Sequence, residues 1–338
     1  MSIRSNRKEE HLTLAQMFFD SQKQNSFDQM HLLRPALPES TVDLKSIQTQ
    51  MFGKKVSAPF FINAMTGGSK KSFKVNQSLG KIANETQIAL ALGSASILVK
   101  EHSQLDSFLI AREENPDGII IANINAKTSA DDAQAIIDEL NADALQVHLN
   151  SVQEIAMPEG QRDFHSLDQL RKIRQKVTIP IIIKEVGFGL DQATIHLLKK
   201  EGFDYFDVAG SGGTNFAQIE NARNASDVSY LETLGLSTVV SAMMAKKEKV
   251  NFIVSGGVRN PLDILKGLVL GGKYVGISNF FLQALMQNDE EYLLNMIQNW
   301  QKELANLIAI FGKNNLKDLT SIKQYYDLPL KSIIEQLL

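Results

Sequence analysis

The sequence predicts an α/β fold, a (β/α)8 TIM barrel with an N-terminal arm and a C-terminal helical extension. Two patterns predict it. From residue 56 onward, short β-rich runs alternate with amphipathic segments of helical length, which argues for parallel βαβ units. The runs number eight, and eight close into a barrel more naturally than into an open sheet. The chain has 338 residues, more than a typical domain of about 100–200. Barrels of this kind reach about 250 as one unit, so residues 1–338 read as one barrel domain with extensions.

The first 55 residues form a polar, partly helical arm carrying Arg7-Lys8-Glu9-Glu10-His11. Left in solvent, that run is a charged face. Folded over a barrel mouth, its cations could clamp phosphate groups. The strand runs are 58–63, 89–92, 118–123, 144–148, 179–184, 205–209, 251–255 and 274–277. Between them, helical spacing covers 72–86, 131–140, 167–175, 191–201 and 261–270. Asp131 is placed to cap one helix, and Pro261 suits a first turn after Asn260. Gly202 and Gly271 stand where helices end. Residues 210–230 form a Gly-, Asn- and Ser-rich insertion after the sixth run. Residues 288–338 form a helical tail, with Trp300, Leu304, Leu307, Ile308 and Phe311 at helical spacing. That stripe packs on the barrel or on another subunit.

Composition narrows the function. Hydrophobic residues make up 43% and charged residues 22%, enough for a sizeable core in a soluble protein. A net charge of −3 provides no basic field for nucleic acid. The absence of cysteine excludes disulfides, thiolate metal sites and cysteine nucleophiles, and fits a reducing cytoplasm. The N-terminus is too charged for a signal peptide. No apolar run approaches the roughly 18 residues of a membrane span.

Active groups in such barrels sit at the C-terminal ends of the strands. After the seventh run comes Ser255-Gly256-Gly257-Val258-Arg259-Asn260-Pro261, and after the eighth Gly276-Ile277-Ser278-Asn279. Glycines let backbone N–H groups approach an anion, and helix N-termini favour negative charge. These two loops together read as a phosphate site. Ala209-Gly210-Ser211-Gly212-Gly213-Thr214-Asn215-Phe216 follows the sixth run. It is no dinucleotide fingerprint, because it leads into a polar insertion rather than into a helix. Ala64-Met65-Thr66-Gly67-Gly68 ends the first run and suits a flat ring laid over the rim. Lys184 ends the fifth and could set a positive charge against a ring or anion, oriented by Glu185.

The densest polar cluster is His148-Leu149-Asn150-Ser151-Val152-Gln153-Glu154. Alternation puts Gln146, His148 and Asn150 on one face, with Gln153 and Glu154 in the loop beyond. Glu154 offers one hard oxygen, which suits Mg²⁺ completed by water and substrate phosphate.

Several of these motifs occur in the order of one family. The chain resembles the type 2 isopentenyl-diphosphate isomerases, FMN-dependent (β/α)8 barrels. The resemblance is carried by Arg7 to His11, Ala58-Pro59 through Gly68, His148 to Glu154, Lys184 to Gly189, Gly212-Gly213-Thr214 and Ser255 to Arg259. The His-x-Asn-x-x-Gln-Glu motif is the most specific.

The resemblance implies interconversion of isopentenyl and dimethylallyl diphosphate with no net redox change. FMN would be reduced by NADPH, and the reduced flavin would act as acid and base. Ala64, Met65, Thr66, Ser94, Asn123, Lys184 and Thr214 would contact the flavin. Gly256, Gly257, Arg259, Ser278 and Asn279 would hold its phosphate. Arg7, Lys8 and His11 would meet the substrate diphosphate, as would the Ser94-Ala95-Ser96 loop. Gln153 would lie beside the alkene, Glu154 would anchor Mg²⁺, and His148 and Asn150 would shape the substrate end. Glu220 would help move protons. The family forms tetramers or octamers, so a homotetramer or homo-octamer is implied.

The chain departs from the family pattern in places. Gly93-Ser94-Ala95-Ser96 stands where the family has Gly-Ser-Gln-Arg, so an Arg for the diphosphate is missing and Arg7 and Lys8 carry more of that load. Thr214-Asn215-Phe216 replaces Thr-Ser-Trp, and Ala209 a commoner Ser. Two other readings compete. An FMN-dependent 2-hydroxy-acid oxidase would need a His base near the sixth and seventh runs, and Gly210 to Thr214 contains none. A flavin-binding sensor without catalysis is supported only by the missing Arg.

Overall fold

The computed structural model describes residues 3–338. Eight parallel strands close into a barrel. In chain order they are β1 Phe60–Ile62, β2 Leu90–Ala91, β3 Ile120–Asn125, β4 Ala144–His148, β5 Ile181–Lys184, β6 Tyr205–Asp207, β7 Asn251–Ser255 and β8 Tyr274–Ile277. β8 pairs with β1 through Val275–Phe60 and Ile277–Ile62, which closes the ring. Seven strands lie within the runs expected from sequence. β3 continues two residues further, to Asn125.

Alternation sorts each strand. Helix-facing residues such as Ile62, Leu90, Ile120, Leu145 and Val147 join the main core with the surrounding helices. Inward residues Phe61, Ala91, Ile121, Ala144, Ile182 and Ile253 form a second, axial cluster. The hairpin Thr49–Met51 and Lys54–Val56 adds Met51 and Val56 to this cluster. Its opposite, C-terminal end carries the polar residues.

Helix ends follow local chemistry, with one correction. Ser129, not Asp131, caps Ala130–Leu140 by accepting from Asp132 N. Ser129 precedes the first helical turn, whereas Asp131 lies inside it and pairs outward with Lys176. Asn260 caps Pro261–Val269 as expected. Gly202 and Gly271, at φ +86° and +107°, occupy the left-handed positions past two helix ends.

One further expectation changes, and a second narrows to one of its two alternatives. The segment after β6 is not an unbroken polar insertion: Asn215 starts the helix Phe216–Arg223 by accepting from Ala217 N and Gln218 N. The tail stripe on Glu290–Ile310 is buried against its own barrel. Trp300 packs 5.5 Å from Phe280 and 5.1 Å from Phe281, so it is unavailable to another subunit. Arm and tail meet where Met30–Leu32 pairs antiparallel with Gln324–Tyr326. No helix among the described residues is long and apolar enough to cross a membrane.

Candidate active site

A cavity of about 440 Å³ opens at the C-terminal ends of the strands, under the arm helix Ile3–Met17. That volume suits a small organic ligand.

At one end, the loops after β6, β7 and β8 converge. A Cβ on Gly256 would stand 2.1 Å from Gly210 O, and one on Gly257 2.7 Å from Gly212 O. Only glycine lets these backbones lie against each other, and both residues hold positive φ. Ser278 leads directly into the helix Asn279–Gln287 and makes no side-chain cap bond. The side chains expected to grip phosphate have further work here. The Arg259 guanidinium meets Asp28 at 2.6 Å, the Lys23 carbonyl at 3.0 Å and Asp263 at 3.2 Å. Arg259 holds the Asp28 carboxyl below its usual range. Asn279 Nδ2 donates to Ala15 O at 3.1 Å. Both residues line the cavity while fastening the arm.

Beside this end lie Ala64, Met65, Thr66, Ser94, Asn123, Lys184 and Thr214. Gly93 lets Thr66 approach, since a Cβ there would meet the Thr66 backbone at 2.7 Å. The Thr66 hydroxyl donates to Asn76 at 2.6 Å. Lys184 Nζ lies 2.5 Å from the Glu185 carbonyl. The carboxylate does not orient it, contrary to expectation. Glu185 Oε2 instead accepts the N–H groups of Val186, Gly187 and Phe188 at 2.5–2.8 Å. Burial outweighs these bonds and pushes the Glu185 carboxyl up to about 7.

Gln153 and Glu154 lie on a short helix, Ser151–Ala156, rather than in a loop. Asn150 Nδ2 reaches both, at 3.3 Å from Gln153 Oε1 and 3.1 Å from Glu154 Oε1. Glu154 Oε2 accepts Gln161 N at 2.7 Å. Gln153 Nε2 donates to Glu220 Oε1 at 3.0 Å, which His11 Nε2 also reaches at 2.9 Å. Glu220 is fully buried and does not line the cavity; it stands behind Gln153 and His11. Burial alone would raise its carboxyl, but His11, Gln153 and Arg223 together hold it below the usual range. His148 Nδ1 lies 2.8 Å from Asn123 Oδ1. Burial, with the positive charges of Lys184 and Lys8, lowers the imidazole to about 3, so it is neutral at physiological pH.

The arm forms a wall of this cavity. Arg7 lies 3.6 Å from Glu159 and 3.1 Å from Met157 Sδ. Lys8 Nζ donates to Ser94 O at 2.7 Å, on the loop that lacks the expected Arg. Ser96 lines the cavity, but Ala95 does not. Its methyl is fully buried in the 3-10 turn Ala95–Ile97, so it cannot touch a substrate. The Phe216 ring meets His11 edge-on at 6.0 Å.

Sequence reasoning missed Asn63 and Asp207, and gave Gln146 a face without a partner. All three are buried. Their signal was a polar residue at an inward position of an otherwise apolar strand.

Residues 122–324 match the FMN-dependent dehydrogenase family. The fold is also that of (S)-mandelate dehydrogenase from Pseudomonas putida, with a TM-score of 0.66 at 16% identity over 94% of this chain and 99% of that one. The class is therefore a flavin barrel that binds FMN.

Nearer relatives name the enzyme. An isopentenyl-diphosphate delta-isomerase of Limosilactobacillus reuteri is 39% identical, covering 99% of this chain and 98% of its own. One from a Streptomyces species is 41% identical over 93% and 87%, and one from Staphylococcus aureus is 36% identical over 98% and 96%. The chain belongs to the isopentenyl-diphosphate delta-isomerase family and is an enzyme of that type.

The residues present fit FMN. Gly256 and Gly257 let two glycine-rich loops pack together at the cavity wall, and Lys184 is a buried cation lining the same cavity. Among the described residues no three His, Asp or Glu side chains group as a metal site. A Mg²⁺ ion here would draw on Glu154 and on substrate phosphate.

Proposed function

We propose that this enzyme interconverts isopentenyl diphosphate and dimethylallyl diphosphate using reduced FMN and Mg²⁺, with NADPH as the reductant. The supporting observation is one juxtaposition. Asn150, Gln153 and Glu154 line one cavity together with the arm cations Arg7 and Lys8 and the glycines Gly256 and Gly257. An alkenyl diphosphate needs those features together: cations for its charged end, a carboxylate for a bridging metal, and a neutral wall for its carbon end.

When bound, reduced FMN supplies the proton exchange at carbon that moves the double bond. Lys184 sets positive charge against the ring, joined around it by Ala64, Met65, Thr66, Ser94, Asn123 and Thr214. Gly256, Gly257, Ser278 and Asn279 offer the phosphate a helix N-terminus and backbone N–H groups, with Arg259 beside them. Arg7, Lys8, His11 and Ser96 hold the diphosphate, and Glu154 anchors Mg²⁺ on it. Gln153 orients the alkene end, backed by Glu220, while His148 and Asn150 fill the remaining wall. His148 is neutral here, which keeps a second positive charge away from the carbon skeleton. NADPH, a homotetrameric or homo-octameric assembly and a cytoplasmic location rest on the family resemblance and the absence of cysteine.

The test is an anaerobic assay of the purified holoenzyme with reduced FMN, Mg²⁺ and isopentenyl diphosphate. Formation of dimethylallyl diphosphate is expected, and no turnover would overturn the proposal.

A further inference from the structure

We propose that Asp207 is a positioning residue that fixes the tautomer of His148 through Asn63, Gln146 and Asn123. The catalytic consequence rests on the isomerase reading; the tautomer does not.

Asp207 ends β6, is fully buried and lies off the cavity wall, as do Asn63 and Gln146. Three donors converge on its carboxylate: Asn63 Nδ2 at 2.7 Å, Ser255 Oγ at 2.5 Å and Ala209 N at 3.3 Å. A carboxylate in such a site accepts and has no hydrogen to give. Asn63 must therefore turn its NH₂ toward Asp207 and its oxygen away. The Ala64 N–H independently fixes the same orientation, donating to Asn63 Oδ1 at 2.8 Å. That oxygen also accepts from Gln146 Nε2 at 2.9 Å. Gln146 Oε1 is then left to accept from Asn123 Nδ2 at 3.0 Å. Asn123 Oδ1 is the last acceptor, 2.8 Å from His148 Nδ1.

Each amide has its sense set by the one before it, so the chain runs one way. At its end His148 must donate from Nδ1, and Nε2 carries the lone pair. A neutral ring fits this, and burial with nearby Lys184 and Lys8 favours it. His148 thus offers the cavity an acceptor and has no acidic proton of its own to deliver. Packing alone gives no reason for this layer, since the inward residues one step lower are apolar. Buried amides are tolerated only when fully paired, and these are paired in a single direction.

Neutron crystallography of the deuterated holoenzyme should show a deuteron on His148 Nδ1 and none on Nε2; the reverse would overturn the assignment. In Asp207→Asn, Ala209 N–H keeps the side-chain oxygen on its side and turns the NH₂ toward Asn63, against the orientation that Ala64 N–H favours. Gln146→Met cuts the chain midway, leaves the Asp207–Ser255 contact intact, and carries the test alone if the first variant does not fold. In either variant, ¹⁵N NMR of labelled histidine should show His148 shifting away from its pure Nδ1–H form. The kcat should fall about tenfold, with KM changed less than about twofold. An Nδ1–H signature unmoved in the folded variants would sink the proposal. If the tautomer shifts but the wild type does not isomerise the substrate, the reaction reading fails and the positioning role stands.

Discussion

In the lower part of the barrel interior, the inward residues are Phe61, Ile121, Ala144, Ile182 and Ile253. Two positions further along the same strands stand Asn63, Asn123, Gln146, Lys184 and Ser255, all buried. Backbone, alternation and burial are the same in both layers, and only the chemistry differs. The lower layer gains from removing apolar area from water. The upper layer contains amides and charges that cost free energy unless every polar atom is paired. Even a glycine serves that pairing, since a Cβ on Gly276 would meet Asn63 Nδ2 at 2.5 Å. The barrel therefore separates stability from chemistry by height along one axis.

Truncating the lower layer should show the largest effect. Phe61→Ala empties a fully buried site and should cost about 3–5 kcal/mol. Thermal denaturation should then show Tm lower by roughly 4–7 °C, while kcat of the folded enzyme stays within about twofold. A Tm unchanged within error would show that this layer is not the stabilising one. The upper layer should respond the other way. Lys184→Met removes a buried cation that ion-pairs with no carboxylate among the described residues; its Nζ bonds the Glu185 carbonyl. kcat/KM should fall by about 10²–10³, with Tm equal to or above the wild type. If activity stays within about tenfold, the charge of Lys184 is not used.

The rim residues form a third case, polar but outside both layers. Glu154→Gln keeps the size and the bond accepted from Asn150, gives up the one accepted from Gln161 N–H, and removes the charge. The apparent Mg²⁺ requirement should rise about tenfold, with FMN retained and Tm unchanged. A Mg²⁺ titration that superimposes on the wild type would remove Glu154 as the anchor.

The two layers were not equally legible in sequence. Strand positions and glycine turns show as local patterns, so β1 to β8 could be placed to within a few residues. Local chemistry misled at the start of Ala130–Leu140. Asp131 looks like a cap, yet Ser129 sits at the residue whose backbone leaves the helix. The insertion after β6 reads as polar loop because Asn215 as a cap signal is followed by a helix of weak amphipathicity. The site residues on named motifs reached one cavity because strand ends in a barrel must converge. Asn63 and Asp207 could not be linked in advance, because their contact joins β1 to β6 across the axis. Ala95 failed for a similar reason: position in a motif does not say which way a side chain turns. The resemblance gives Glu220 a role in moving protons, and its burial behind Gln153 and His11 appears only in three dimensions.

The smallest effect tests whether the upper layer keeps His148 neutral. In the unfolded chain a histidine takes up a proton near pH 6.5, whereas folded His148 does so only near 3. Between those values the unfolded state binds more protons, so stability rises with pH and is lost as pH falls below about 6.5. The slope should be about 1 kcal/mol per pH unit. Glu185 acts in the opposite sense, because its folded carboxyl is raised to about 7 and binds a proton the unfolded chain has already released. The two slopes partly cancel in the wild type, so the raw profile is uninformative. His148→Gln isolates one of them, since Glu185 is common to both proteins. Denaturant unfolding of the two holoenzymes between pH 5 and 6.5 should give stabilities that diverge by about 1 kcal/mol per unit, with the wild type losing more as pH falls. Parallel profiles would mean that His148 charges as readily in the barrel as in water, and the upper layer would then impose no protonation state on it.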